Sequence, residues 1–245
     1  MRISKEKKGK TSKKVFFFFY GKKVEKRKEW WYTSFKNWQY QYIIRNTKGG
    51  ATMGYVKWSY SVLEHFCHDV FRAFGFDETQ SKEIEDVLLT ADLFGIESHG
   101  MQRMVRYHKG IEKGTIHPLA KPEVVFETPV SAVIDGHNGM GQLISIYAMK
   151  KAIEKAKTSG IGMVSVRNSN HFGIAGYYAK MASDEGLLGM ACTNSEAIMV
   201  PTFGKKAMLG SNPIAVAMPA EPYPFLFDCS TTVVTRGKLE MYNKM

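Results

Sequence analysis

The chain has 245 residues, 44% of them apolar, enough for a sizeable core in one large domain or two small ones. A formal net charge of +11 suggests a nucleic-acid binder, yet residues 1–50 carry 15 Lys and Arg against 3 Glu, leaving 19 basic and 20 acidic residues elsewhere. The body is therefore neutral, no run approaches the ~18 apolar residues of a membrane span, and both a nucleic-acid surface across the fold and a membrane protein are disfavoured.

Residues 1–54 alternate lysine runs with the aromatic residues 16–19 and with Trp30, Trp31 and Trp38. They read as a basic, aromatic-rich extension, expected to be disordered, although lysines and aromatics together could grip phosphates and stack on bases. The apolar residues 15–20 are too few for a signal-peptide core and lack a small-residue cleavage site. Cys67, Cys192 and Cys229 are widely spaced and read as reduced thiols of a cytoplasmic protein. His65 and His68 beside Asp69 have helical spacing, but no matching ligand cluster accompanies them, and no metal site is expected.

The first folded part, residues 55–122, reads as helical. Val62, Leu63, Phe66, Val70, Phe71 and Phe74 follow helical spacing up to Gly75. Asp77 and Gln80 resemble a capping box that opens a second helix through Ile84, Val87, Leu88 and Ala91, ended by Gly95. A third helix is predicted from an N-cap at Ser98 to residues 110–114, which would set His99 and Arg103 four residues apart on one face.

The period then changes. Residues 124–126 and 132–134 read as short strands around a Thr128-Pro129 turn, and 142–157 as an amphipathic helix closed by Gly160. Strand 162–166, helix 174–185 and strand 187–192 complete a β-α-β-α-β pattern, which predicts a sheet with a parallel portion and right-handed crossovers. Strands are also expected at 213–218 and 225–227, with a helix start at 231–236.

In such sheets ligands collect beyond the carboxyl ends of the strands. Three loops there carry the unusual residues: 136–141, the Asn168-Ser169-Asn170-His171-Phe172-Gly173 run, and Thr193-Asn194-Ser195. The glycines at 136, 139 and 141 are spaced G-x-x-G-x-G, which does not support a conventional Rossmann site. An imidazole exchanges a proton near neutral pH and a guanidinium fork fits a carboxylate, so His99 with Arg103 suits chemistry on a small hydroxy or oxo acid.

These motifs together resemble the malate/L-lactate dehydrogenase family of NAD(P)-dependent oxidoreductases. The resemblance runs over residues 55–239 through Ala91 to Gly100, Arg103, Tyr107, Asp135-Gly136, Gly139-Met140-Gly141-Gln142, 168–173, Pro201-Thr202-Phe203-Gly204, Gly210-Ser211-Asn212-Pro213 and Asp228-Cys229-Ser230-Thr231-Thr232. It implies an α/β fold: a non-Rossmann nicotinamide-binding sheet domain (123–239) beside a smaller helical domain, acting as a homodimer with NAD or NADP. It implies proton transfer by His171 or His99, with His171 taken as the base and His99 as the orienting partner. It also implies substrate-carboxylate binding by Arg103 beside Ser98, and cofactor contacts from Ser195, Asp228, Cys229, Ser230, Asn170 and Gly173. The implied reaction interconverts a small 2-hydroxy acid and its 2-oxo acid; a ureidoglycolate or sulfolactate dehydrogenase of the same family is the alternative. The pattern fades after Arg236-Gly237-Lys238, leaving 240–245 as a tail outside it. A C-terminally truncated, inactive fragment with a nucleic-acid-binding basic tail is therefore the third expectation.

Overall fold

A computed structural model describes residues 15–20, 40–43 and 55–242, with side chains from Trp58 to Glu240. The rest of the basic segment, including Trp30, Trp31 and Trp38, lies outside the described residues, as do residues 243–245. The first strands are β1 (Val15–Tyr20), β2 (Tyr40–Ile43) and β3 (Tyr55–Trp58), of which β2 and β3 form an antiparallel pair of their own.

Helix α1 (Tyr60–Ala73) buries Tyr60, Leu63, Cys67 and Phe71, a single stripe at helical spacing. Its partner α2 (Glu78–Leu93) opens on the predicted capping box: Gln80 N–H donates to Asp77 Oδ1 at 2.8 Å and Asp77 N–H to Gln80 Oε1 at 3.0 Å. His68 lies between the carboxylates of Glu85 (3.0 Å) and Glu78 (3.1 Å), which ties the two helices together. After α3 (Met104–Glu112) the chain enters the sheet.

The sheet elements are β4 (Glu123–Glu127), β5 (Ser131–Asp135), α4 (Gly141–Ser159), β6 (Met163–Arg167), α5 (Ala175–Asp184), β7 (Leu188–Thr193), β8 (Ile214–Met218) and β9 (Phe225–Cys229), followed by α6 (Arg236–Tyr242). Seven strands order as β4-β5-β6-β1-β7-β8-β9. Among the described strands only β5 and β6 pair in parallel, so the sheet is more antiparallel than the β-α-β-α-β pattern predicts.

The reason lies in β1. Strands β6 and β7 run the same way but do not touch, because β1 lies antiparallel between them, with Phe17 opposite Val164 on one side and Ala191 on the other. Two strand edges facing an open slot would leave backbone N–H and C=O groups unpaired, and β1 satisfies both rows. Six residues of the segment expected to lie outside the fold thus form a strand in the middle of the sheet.

Two cores result. One joins α1, α2 and α3 through Leu63, Phe71, Phe76, Ile84, Leu88 and Tyr107; the other joins α4 and α5 to the sheet through Ile134, Met149, Ala152, Val164, Tyr178 and Ala191. Helix α2 is the shared wall, since Ile84 and Leu88 belong to the first core and Val87, on its next face, to the second. The loops after α2 and after β6 consequently meet where the two cores join.

Candidate active site

The Ser98 segment departs from the predicted helix. Residues Glu97–His99 and Met101–Arg103 form two single 3₁₀ turns broken at Gly100, and the α-helix starts only at Met104. Ser98 is therefore not an N-cap, and His99 and Arg103 do not share an α-helical face. The cause is Asp92, whose carboxylate accepts the Met101 N–H at 2.9 Å and presses so close that a Cβ on Gly100 would sit 1.8 Å from its Oδ1. Only glycine fits there, and its extended backbone interrupts the helix.

Ser98 nonetheless holds the pair together. Its Oγ lies 2.8 Å from His99 Nδ1, and its carbonyl accepts the Arg103 Nε–H at 2.5 Å. The second histidine arrives from the loop after β6. Helix α4 begins directly against that loop, where a Cβ on Gly141 would meet the His171 carbonyl oxygen at 2.3 Å. Asn170 fastens the same loop by donating to the carbonyls of Asn138 (2.8 Å), Gly139 (3.0 Å) and Thr115 (3.1 Å). The amide expected to contact cofactor is engaged here as a loop clamp.

So placed, the His171 ring stacks on His99 with centroids 5.4 Å apart and planes 22° from parallel. His171 Nδ1 lies 2.8 Å from the Tyr107 hydroxyl and accepts the Gly173 N–H at 3.3 Å. Gln142, fully buried, donates to the same hydroxyl at 2.8 Å. Burial raises the Tyr107 pKa and keeps the phenol protonated.

The electrostatics divide the two imidazoles. Burial and the positive charges of Arg103 and Arg106 push His99 down to about 4, so it is neutral at physiological pH. Arg103 is only 5% exposed, and its Nη1 pairs with Glu240 of α6 at 3.1 Å. Burial alone would raise the Glu240 carboxyl, but Arg103 and Arg236 outweigh it and hold the group below the ordinary carboxylate range. Gly237 makes this approach possible, because a Cβ there would meet Arg103 Nη2 at 2.3 Å.

The remaining predicted residues gather along the carboxyl ends of β7 and β9. Ser195 Oγ accepts the Ser211 N–H at 2.7 Å and lies 3.0 Å from Ser211 Oγ, while its N–H donates to Asn212 Oδ1 at 2.9 Å. Ser230 Oγ donates to the Ser211 carbonyl at 3.1 Å and the exposed Cys229 thiol to the Ser230 carbonyl at 3.0 Å. Asp228 points elsewhere: its carboxylate accepts the Gly176 N–H at 2.7 Å in the first turn of α5. A carboxylate thus occupies the N-terminal turn of α5.

Ser98, His99, Arg103 and His171 are therefore brought into one cluster, with Gly173 at its edge, and Ser195 joins Ser230 through Ser211 in a second. Motif spacing missed Asp92, Gln142, Ser211, Asn212 and Glu240. Asp92, Gln142, Ser211 and Asn212 stand inside the motifs that carry the resemblance, yet nothing in the sequence assigned them hydrogen bonds; Glu240 gave no signal, since it meets Arg103 only through the fold. Among the described residues no group of three or more His, Cys, Asp and Glu could hold a metal ion, and no helix is long and apolar enough to cross a membrane.

The sequence profile described as malate/L-lactate dehydrogenase matches residues 58–245. The chain belongs to the malate/L-lactate dehydrogenase family. The match continues through residues 240–245, past the point where the motifs fade. Family relatives include a malate dehydrogenase of Pyrococcus abyssi, 47% identical over 80% of this chain and 54% of its own length. An L-sulfolactate dehydrogenase of Methanocaldococcus jannaschii is 44% identical over 70% of this chain and 50% of its own. The fold also matches the crystal structure of malate dehydrogenase from Entamoeba histolytica, with a TM-score of 0.73 and 42% identity over 76% of this chain and 52% of that one. The chain spans about half the length of the relatives it matches.

Proposed function

We propose that the chain interconverts a small 2-hydroxy acid and its 2-oxo acid with NAD or NADP, with malate or L-lactate as the substrate type. The observation that supports this best is the contact of His99 and His171, centroids 5.4 Å apart, beside a buried guanidinium that Ser98 ties to the pair. A 2-hydroxy acid presents a carboxylate and a hydroxyl on neighbouring carbons, and the cluster offers a cation for the first and a proton acceptor for the second.

In this assignment Arg103 receives the carboxylate, which takes over the Nη1–H that Glu240 now holds. His99, neutral because its pKa lies at about 4, orients the hydroxyl oxygen by hydrogen bonding. His171 accepts the hydroxyl proton during oxidation and returns it during reduction. Nδ1 faces Tyr107, so that exchange falls to Nε2, in the form of the ring that carries its proton on Nδ1.

The shelf formed by Ser195, Ser211, Ser230 and Thr232 fits a dinucleotide, since its hydroxyls and backbone N–H groups suit a ligand rich in ribose, amide and phosphate oxygens. When bound, the nicotinamide supplies the acceptor for the C2 hydride. Ser195, Cys229 and Ser230 would hold it, and Asp228 would act by fixing α5 beside them.

The test is to follow reduced nicotinamide absorbance with the purified chain, NADH or NADPH, and a panel of 2-oxo acids that includes those of malate, lactate, sulfolactate and ureidoglycolate. Oxidation of NADH or NADPH with at least one acid is expected. Binding of the dinucleotide with no turnover on any acid would sink the proposal.

A further inference from the structure

Gln142 is a side chain of the cluster whose two ends have opposite fates. Its Nε2 donates to the Tyr107 hydroxyl at 2.8 Å, while its Oε1, equally buried, has no hydrogen-bond partner among the described residues. Gln142 is fully buried, Tyr107 is 1% exposed, and the Tyr107 hydroxyl lies 2.8 Å from His171 Nδ1. Three polar side chains therefore form a line, and the line ends on the imidazole assigned to proton exchange.

Proton counting along that line fixes its direction. A phenol has a single O–H. If Gln142 donates into the Tyr107 oxygen, the hydroxyl turns its proton toward His171 Nδ1, which must then present a lone pair. The Gly173 N–H, 3.3 Å from the same nitrogen, asks for that lone pair too. Neutral His171 consequently carries its proton on Nε2.

An imidazole in that form cannot accept a hydroxyl proton at Nε2. It becomes a base there only when Nδ1 holds the proton, with Nδ1–H donating to the Tyr107 oxygen and the Tyr107 O–H donating onward. The unpartnered Oε1 is the acceptor this arrangement requires, and a half-turn of the Gln142 amide brings it to the phenol. Each end of one amide thus matches one tautomer of a histidine two hydrogen bonds away.

We infer that Gln142 is a positioning residue that sets, through Tyr107, which ring nitrogen of His171 carries the proton. The inference deepens the function proposed above by giving the base an external selector, and only a side chain that can both donate and accept serves the two directions. A leucine would do neither and a carboxylate would hold one setting.

The test reads tautomers directly and needs no turnover, so it stands or falls apart from the dehydrogenase assignment. With 15N-histidine label, the ring nitrogens of the whole chain are recorded by long-range 1H–15N correlation at a pH where His171 is neutral, and His171→Asn identifies its signals among the seven histidines. The wild-type chain is expected to show His171 with the lone-pair shift on Nδ1 and the proton on Nε2. Gln142→Glu, which can only accept once ionised, is expected to move the proton to Nδ1, and adding Tyr107→Phe is expected to undo that change. Should the buried carboxylate prevent folding, Gln142→Met removes the donor without charge, and the two nitrogen shifts are expected to draw together as both tautomers become populated. A wild-type proton on Nδ1 overturns the inference outright. So does a His171 pattern that no folded Gln142 variant alters.

Discussion

The His99–His171 cluster, through the loop that carries His171, and the hydroxyl shelf both draw on loops that leave one sheet edge, yet they are built differently. In the cluster the reactive groups are locked by buried partners: Asp92 pins the Ser98 turn, Tyr107 and Gln142 hold His171, and Arg103 is almost fully enclosed. On the shelf the hydroxyls of Ser195, Ser211 and Ser230 bond mainly to one another and to backbone. Proton transfer depends on sub-ångström placement and low local dielectric, whereas holding a long polar ligand needs many weak contacts that can adjust. The difference predicts that substitutions in the cluster act on rate or folding, and substitutions on the shelf on affinity.

The strongest way to break that contrast is His171→Asn. Removing the base is expected to lower kcat by about 10²- to 10⁴-fold while dinucleotide affinity is retained, measured by steady-state kinetics beside fluorescence titration. If kcat is unchanged, the cluster is not the site of proton transfer.

Acid should expose the cluster next. The His99 pKa is lowered from 6.5 to about 4 in the folded chain, so between those values the unfolded chain binds a proton that the folded chain refuses. Stability from this residue is therefore complete above pH 6.5 and lost as pH falls toward 4, by up to about 3 kcal/mol. Denaturant melts across that range should show the loss, and His99→Asn should flatten it.

Gly100→Ala tests the packing that shapes the turn. A Cβ 1.8 Å from Asp92 Oδ1 forces backbone or carboxylate to move. The expected destabilisation is about 1–3 kcal/mol, with a drop in kcat because Ser98 and His99 shift together. A variant as stable and as active as the parent would show that the turn is not fixed by this contact.

The smallest effect is expected on the shelf. Ser195→Ala removes the acceptor of the Ser211 N–H and should weaken dinucleotide binding by about five-fold, roughly 1 kcal/mol, with kcat at saturating cofactor unchanged. A kcat loss as large as that of His171→Asn would erase the contrast between the two regions.

The sequence made the helices and strands legible wherever a local rule decided them. The Asp77–Gln80 capping box and the stop at Gly160, with φ of 79°, follow from local backbone chemistry and stand as expected. The meeting of His99 with His171 was expected from the resemblance alone, since the sheet-edge reading placed only His171 in a loop there and set His99 on a helix. What could not be read depends on partners distant in sequence. Nothing near Ser98 says that Asp92 will turn the predicted N-cap into a 3₁₀ bend, and nothing in Glu240 says that it will face Arg103, 137 residues earlier. Asn170 and Asp228 were assigned to cofactor by motif, while the fold sets the first on three loop carbonyls and the second on the start of α5.

The strand wedged between β6 and β7 also carries a consequence for how the chain matures on the ribosome. Phe17 leaves the exit tunnel long before Val164 and Ala191, its opposite numbers, have been translated, a wait on the order of ten seconds at ~5–20 residues per second. Until then the earliest strand has no neighbour to zip against. Closure of the sheet is thereby deferred until β7 has been made.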